Sequence, residues 1–255
     1  IWETVRRNRL RSILTAFSVS WGILILVVLL GSGQGLSHGV EHMFRDDAQN
    51  SLWLRSGQTS LPYAGLRPGR YVQLTNEDHV DIREHLPVDH ISSRFFIRGT
   101  VRVVYRAETA SFSVRCVHPD NQYLEKTIIT EGRYLNPLDV REFRKVAVIG
   151  TKVKAQLMHG GPAIGEYIKV NGIPFRVVGV FTDEGSEGEQ ELIYLPISTA
   201  QRAFNGANRV AMITMTIGDA GLDESRAIAE DLRLRIAERH DFDPADQRAI
   251  SIYNA

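Results

Sequence analysis

Between Ser12 and Ser37 the chain reads SILTAFSVSWGILILVVLLGSGQGLS, a run with no charged side chain whose middle, Ile13 to Leu30, is dense in Ile, Leu, Val and Phe. A helix rises about 1.5 Å per residue, so about 20 residues cross a hydrocarbon core about 30 Å thick. The run is long enough to span a bilayer with some tilt, and it predicts a transmembrane helix over residues 12–37. Arg6, Arg7, Arg9 and Arg11 precede it, while the first full charges after it are Glu41, Arg45, Asp46 and Asp47. Basic residues gather on the cytoplasmic flank of inserted helices. Residues 1–11 are therefore expected inside, as a basic elbow, and everything after Ser37 outside. A cleaved leader is one alternative, since Gly31-Ser32-Gly33 is small enough to cut, but its apolar part would span only about 7–15 residues. A buried core helix is the other, and the lack of a polar face argues against it.

Gly31, Gly35 and Gly39 recur every four residues, which makes either a groove for a second membrane helix or a flexible exit from the bilayer. They imitate part of a dinucleotide fingerprint, but no strand precedes them. His38 and His42 stand one helical turn apart without a third ligand, so a solvated juxtamembrane helix is a better reading than a zinc site.

The rest has the balance of a globular protein. Thirty basic and thirty acidic residues cancel, which excludes the basic footprint of a nucleic-acid binder. The single cysteine, Cys116, cannot form an internal disulfide. Phe112, Val114 and Cys116 alternate onto one strand face, as a small buried apolar residue would.

Along the chain, a strand is expected at Ser51 to Ser56 and a turn-rich loop at Gly57 to Gly69. A helix capped by Thr75, with Asp78 in the reciprocal position, should run to Leu86 and stop at Pro87. Strands follow near Ile91 to Phe96, Val101 to Tyr105 and Ala110 to Val117. A second module starts near Tyr123. Asn136-Pro137 turns into a short helix, Lys145 to Ile149 is a buried strand, and Gly150 to Met158 is an amphipathic helix. Tyr167 to Val170 and Ile173 to Phe181 are joined by Asn171-Gly172, suited to a type I′ hairpin. Asp183 to Glu191 holds five acids; a solvated hairpin tip is the reading, with a calcium loop the alternative that lacks the spacing. After a strand at Leu192 to Leu195, Ser198 is expected to cap a short helix. Val210 to Ile217 is a half-buried strand, Asp223 caps a long helix, and Ile250 and Ile252 mark a last strand.

No catalytic, cofactor-binding or metal-ligating set emerges. His159-Gly160-Gly161 resembles an esterase oxyanion loop, but no Gly-x-Ser-x-Gly elbow accompanies it. There is no phosphate loop ending in Gly-Lys, no His-Glu-x-x-His and no cysteine pair. The expectation is a chain that is not an enzyme and carries no cofactor.

Five short motifs occur in order: Glu131-Gly132-Arg133, Val146-Ala147-Val148-Ile149-Gly150, Pro162-x-x-Gly165, Gly172-x-Pro174-Phe175-x-Val177-Val178-Gly179-Val180 and Tyr194-x-Pro196. Together with the basic elbow, the apolar helix and a final Asp246-x-x-Ala249-Ile250-x-Ile252-x-Asn254, they cover the chain. This resembles the periplasmic core domain of MacB-type permeases, within the FtsX-like class of ABC transporter permeases. The resemblance implies an α+β fold with two lobes after the transmembrane helix. A discontinuous porter-like lobe takes residues 38–117 and 206–255, and an inserted β-rich lobe takes residues 118–205. It further implies an inner-membrane location and a non-catalytic permease part of an exporter that couples cytoplasmic ATP hydrolysis to movement of the periplasmic domain. The implied partners are a cytoplasmic ABC ATPase, a second permease copy in a homo- or heterodimer, and a periplasmic adaptor with an outer-membrane channel. No ATPase signature precedes Trp2, which favours a separate subunit or a trimmed chain. In the family, three more membrane helices would follow. A single-pass anchored sensor or ligand-binding domain is the alternative function, and a tethered hydrolase fails for want of a nucleophile.

Overall fold

Two kinds of apolar pattern divide the chain. The computed structural model describes residues 14, 17–27, 51–183 and 188–254, which fall into two units, Ile1–Arg45 and Asp46–Ala255. In the first, residues 17–27 are helical, and their large apolar side chains, including Phe17, Trp21, Ile23 and Leu26, are exposed within the chain. Among the described residues no helix is long and apolar enough to cross a membrane. The remainder of the expected span, its arginine flank, the glycine stripe and the His38–His42 pair lie outside the described residues.

In the second unit, period-two alternation builds a twelve-stranded mixed sheet. Its strands are β1 (Ser51–Ser56), β3 (His90–Phe95), β4 (Arg102–Tyr105), β5 (Glu108–Ser111), β6 (Ser113–Val117), β7 (Ile128–Gly132), β8 (Val146–Gly150), β9 (Tyr167–Val170), β10 (Ile173–Thr182), β11 (Leu192–Pro196), β13 (Met212–Thr216) and β14 (Ile250–Asn254). The order is β14-β1-β13-β3-β6-β11-β8-β10-β9-β4-β5, with β7 pairing β10 from off this path. A two-stranded ladder, β2 (Leu74–Thr75) with β12 (Arg209–Val210), stands apart. The helices are α1 (Asn76–His85), α2 (Asn121–Leu124), α3 (Pro137–Arg141), α4 (Thr151–Met158), α5 (Ile197–Ala203) and α6 (Leu222–His240).

The larger core lies on one sheet face, where Leu52, Ile213, Ile91, Cys116, Ile193, Ile149 and Phe175 meet Ile82 of α1, Leu157 of α4, Ile197 of α5 and Leu232 of α6. Residues one step along the same strands point the other way. Val148, Val178, Phe181 and Tyr194 form a smaller core there with Tyr134 and Leu135. Cys116 is fully buried, as its alternation predicts, and burial raises its thiol pKa.

Several expectations are borne out in detail. Asp78 accepts the Thr75 backbone N–H at 2.7 Å, closing the capping box of α1. Asn136 and Asp139 form a second box, with Pro137 opening α3. Asn171 and Gly172 both take positive φ, 46° and 84°, in the tight turn between β9 and β10. Others need correction. Ser198 does not cap α5: Pro196 occupies that place, and the Ser198 hydroxyl donates to the Val140 carbonyl at 2.5 Å. Gly221 precedes α6, so Asp223 falls in the first turn, where its charge still suits the helix dipole. The run Ala110 to Val117 is two strands, β5 and β6, that part at Phe112. β4 and β5 form a hairpin that pairs with β9 at the far edge, away from β3.

Candidate functional site

The sheet narrows where β3 meets β6. The joint consists of the Arg94–Val117 and Phe95–Cys116 pairs, whereas β6 runs alongside β11 from Ser113–Leu192 to Val117–Pro196. Side chains from both sides reinforce it. Arg94 of β3 and Arg115 of β6 project from the face opposite the larger core and converge on Glu125, just after α2. Glu125 receives Arg94 on one oxygen and Arg115 Nη1 at 2.6 Å on the other, and its side chain is only 9% exposed. Arg115 Nη2 reaches Glu189 at 2.8 Å, and the Tyr194 hydroxyl lies 3.4 Å from Glu125.

Burial works against a charged Glu125, but the Arg94 and Arg115 guanidinia hold its carboxyl below the usual range. Glu189 is pushed up, by burial and by the Glu125 charge beside it. Burial and the same negative charge raise the Tyr194 hydroxyl well above its ordinary value. Glu189 belongs to the acidic stretch read as a solvated tip; the structure draws it inward, while residues 184–187 lie outside the described residues.

On the other side of the joint, His79 of α1 stacks on His118, with ring centroids 4.0 Å apart and planes 11° from parallel. His118 Nδ1 accepts the Ser93 backbone N–H at 3.1 Å, so that nitrogen carries no proton. The Ser92 hydroxyl accepts the His118 backbone N–H at 3.2 Å. Burial and the nearby Arg83 lower the His79 pKa to about 4; burial and His79 hold that of His118 well below its ordinary value. Both rings are neutral near pH 7.

Ser93 Oγ lies 2.9 Å from His79 Nδ1, the spacing of a nucleophile and its base. Ser93 is fully buried, however, and no substrate reaches its oxygen. His159 caps the end of α4 in a left-handed conformation with its ring near Glu108, and builds no oxyanion hole. Among the described residues no group of three or more His, Cys, Asp or Glu is placed to hold a metal ion. The arrangement is a structural tie: charges from β3, β6 and the α2 segment meet where β3 and β6 share only two paired positions.

A second tie joins the far ends of two helices. Asp78, fully buried, accepts Arg239 Nε and His240 Nε2, each at 2.9 Å, as well as the Thr75 N–H. Burial alone would raise the Asp78 pKa; the His240 contact and the other donors lower it.

The sequence profile of the MacB-like periplasmic core domain matches residues 12–231. The macrolide export ATP-binding/permease protein MacB of Chlorobaculum tepidum is 27% identical over 256 residues, covering 98% of this chain and 39% of that protein. The pyoverdine export ATP-binding/permease protein PvdT of Pseudomonas entomophila is also 27% identical, over 98% of this chain and 38% of that protein. The chain thus spans about two fifths of the length of the curated relatives it matches. Among solved structures, the periplasmic region of MacB from Actinobacillus actinomycetemcomitans superposes with a TM-score of 0.67 at 18% identity, covering 82% of this chain and 91% of that one. The extracellular domain of the ABC-type transporter YknZ gives 0.66 at 16% identity, over 80% and 100%. With a profile match over most of its length and the mixed α+β fold of these periplasmic domains, the chain belongs to the MacB-like periplasmic core domain family.

Proposed function

We propose that this chain is the first membrane helix and the extracytoplasmic domain of a non-catalytic permease, and that it relays ATP-driven motion from an ABC ATPase to the outer side of an inner membrane. The observation that carries the reading is the placement of the first and last strands. β1 and β14 are antiparallel neighbours, with Leu52 opposite Asn254. The start of β1 and the end of β14 thus lie side by side at one end of the sheet, where tilting of helices joined to both would act on the whole sheet as a lever. Export names among the relatives support the same reading, as do the exposed apolar side chains of residues 17–27.

In this reading the domain has two lobes. The porter-like lobe centres on β14-β1-β13-β3 with α1 and α6. The β-rich lobe contains residues 118–205 together with the β4–β5 hairpin, and the Glu125 cluster lies where they meet. A second permease copy completes the transporter, and an adaptor leading to an outer-membrane channel is the partner on the outer side.

The test is pulsed electron paramagnetic resonance on the complete transporter. Spin labels replace the exposed Val80 and, in a separate sample, the exposed Tyr167. Adding a non-hydrolysable ATP analogue is expected to shift the label-to-label distances between copies. Unchanged distributions at both positions would contradict a relay, and failure of any ATPase to co-purify would favour an anchored sensor instead.

A further inference from the structure

The sheet face that carries the smaller core is left uncovered at one place, and the residues that surround the opening have a chemistry of their own. Val146 of β8 and Val178 of β10 lie at the floor, each 8% exposed, and Ile164 closes one wall. Arg133, Arg144 and Arg176 line the rest of a recess of about 440 Å³. That size falls within the about 300–1,000 Å³ of small-ligand clefts.

Local structure explains why the arginines gather here. Gly132 pairs with Gly179 where β7 joins β10. A Cβ on Gly179 would stand 2.0 Å from the Arg133 carbonyl oxygen, and one on Gly132 would stand 2.2 Å from that of Val178. Two glycines let the backbone cross this closely and deliver Arg133 onto the open face. The fully buried Asp139 then fixes Arg133 through Nη1 at 2.6 Å and Nη2 at 3.1 Å. Arg144 is held by Glu142, at 3.0 Å from Nε and 2.8 Å from Nη2, and lies 3.7 Å from Asp139. Arg176, opposite Val146 in the ladder, has no carboxylate within ion-pair distance among the described residues. Three guanidinia thus face two carboxylates, both already engaged, over an apolar floor.

We infer that this recess binds a small anionic amphiphile, a carboxylate or phosphate head on a short apolar body. Guanidinium forks match such heads in a bidentate fashion. Arg133 and Arg144 are oriented in advance by Asp139 and Glu142, and Arg176 supplies the uncompensated charge. Val146, Val178 and Ile164 take the apolar part. The inference does not depend on the relay proposed above.

The test is calorimetric titration of the full chain in zwitterionic nanodiscs, with empty discs as baseline. The probes are octanoate, octyl phosphate, octanol and inorganic phosphate. One or both anionic amphiphiles are expected to bind saturably at one site per chain, octyl phosphate outcompeting octanoate if phosphate-headed molecules are the ligands and the reverse if carboxylates are. Arg176→Gln should weaken that binding at least fivefold, and it leaves no buried carboxylate unpaired. Arg55→Gln, on the same sheet face near the opposite edge, should leave it unchanged. Octanol binding as tightly as the anions, inorganic phosphate binding as tightly as octyl phosphate, an unaffected Arg176→Gln chain, or no saturable binding overturns the inference.

Discussion

Glu125 shows how far a residue's role can lie from its neighbours in sequence. Its partners, Arg94 and Arg115, are brought to it by strand pairing, and nothing in Tyr123-Leu124-Glu125-Lys126 distinguishes it from a solvated acid. Removing its charge leaves two guanidinia facing each other in a poorly hydrated place. Glu125→Gln is expected to destabilise the fold by about 3–5 kcal/mol. Glu189→Gln, which relieves repulsion on Glu125, should cost less than about 1 kcal/mol; urea denaturation of both variants checks the contrast. The histidine pair gives a pH dependence. Because the folded pKa of His79 is about 4 against an ordinary 6.5, its contribution is complete above pH 6.5. As pH falls from 6.5 towards 4 the unfolded chain takes up a proton that the folded chain refuses, and stability declines by on the order of 3 kcal/mol. His79→Phe keeps a ring against His118 and should flatten the slope between pH 6.5 and 5; an identical slope in the variant rules this account out.

At the level of elements, most strand and helix positions are legible, α2 and β7 excepted, while their partners are not. Alternation in β13 and the unbroken apolar run of β8 mark buried strands, and the Thr75–Asp78 box and the Asn136-Pro137 turn mark where helices start. Neither pattern says which strand lies alongside: sequence order alone groups the β4–β5 hairpin with the first segment, although β9 is its neighbour. Asp78 was legible as a cap; its contacts with Arg239 and His240 across the fold left no local trace. Asp246, in the final motif, likewise has a long-range duty. Its carboxylate accepts the Ser60 N–H at 2.5 Å, the Ser60 hydroxyl at 2.7 Å, the Leu61 N–H at 2.9 Å and the Arg248 N–H at 3.1 Å, tying the loop before β2 to the segment before β14. Burial opposes its ionisation, but these donors lower its pKa to about 2. The tie is complete above about pH 4, the ordinary carboxylate value, and is lost as pH falls through 2. Asp246→Asn is expected to speed amide exchange at Ser60 and Leu61 at least tenfold at pH 6 while leaving Leu52 and Ile213 protected. Equal exchange in the two proteins would show that the loop is held by something else.

For the whole molecule, the orientation proposed from the arginine flank has a direct check. A reporter inserted at Asn205 should be active if it is a type that works only outside the cytoplasm, and silent if it works only inside; the opposite result reverses the topology. The side-by-side placement of β1 and β14 adds a constraint on the forces the domain can bear. Hydrogen bonds between antiparallel strands resist strongly when loaded lengthwise, all at once, and weakly when the two ends are drawn apart and the bonds open one after another. Leu52 and Asn254 sit opposite each other at one end of the ladder, so a force spreading the two strand ends would unzip it from that pair inward. On the relay proposed above, motion entering the domain would carry the two strand ends in the same direction, as a shared push or tilt.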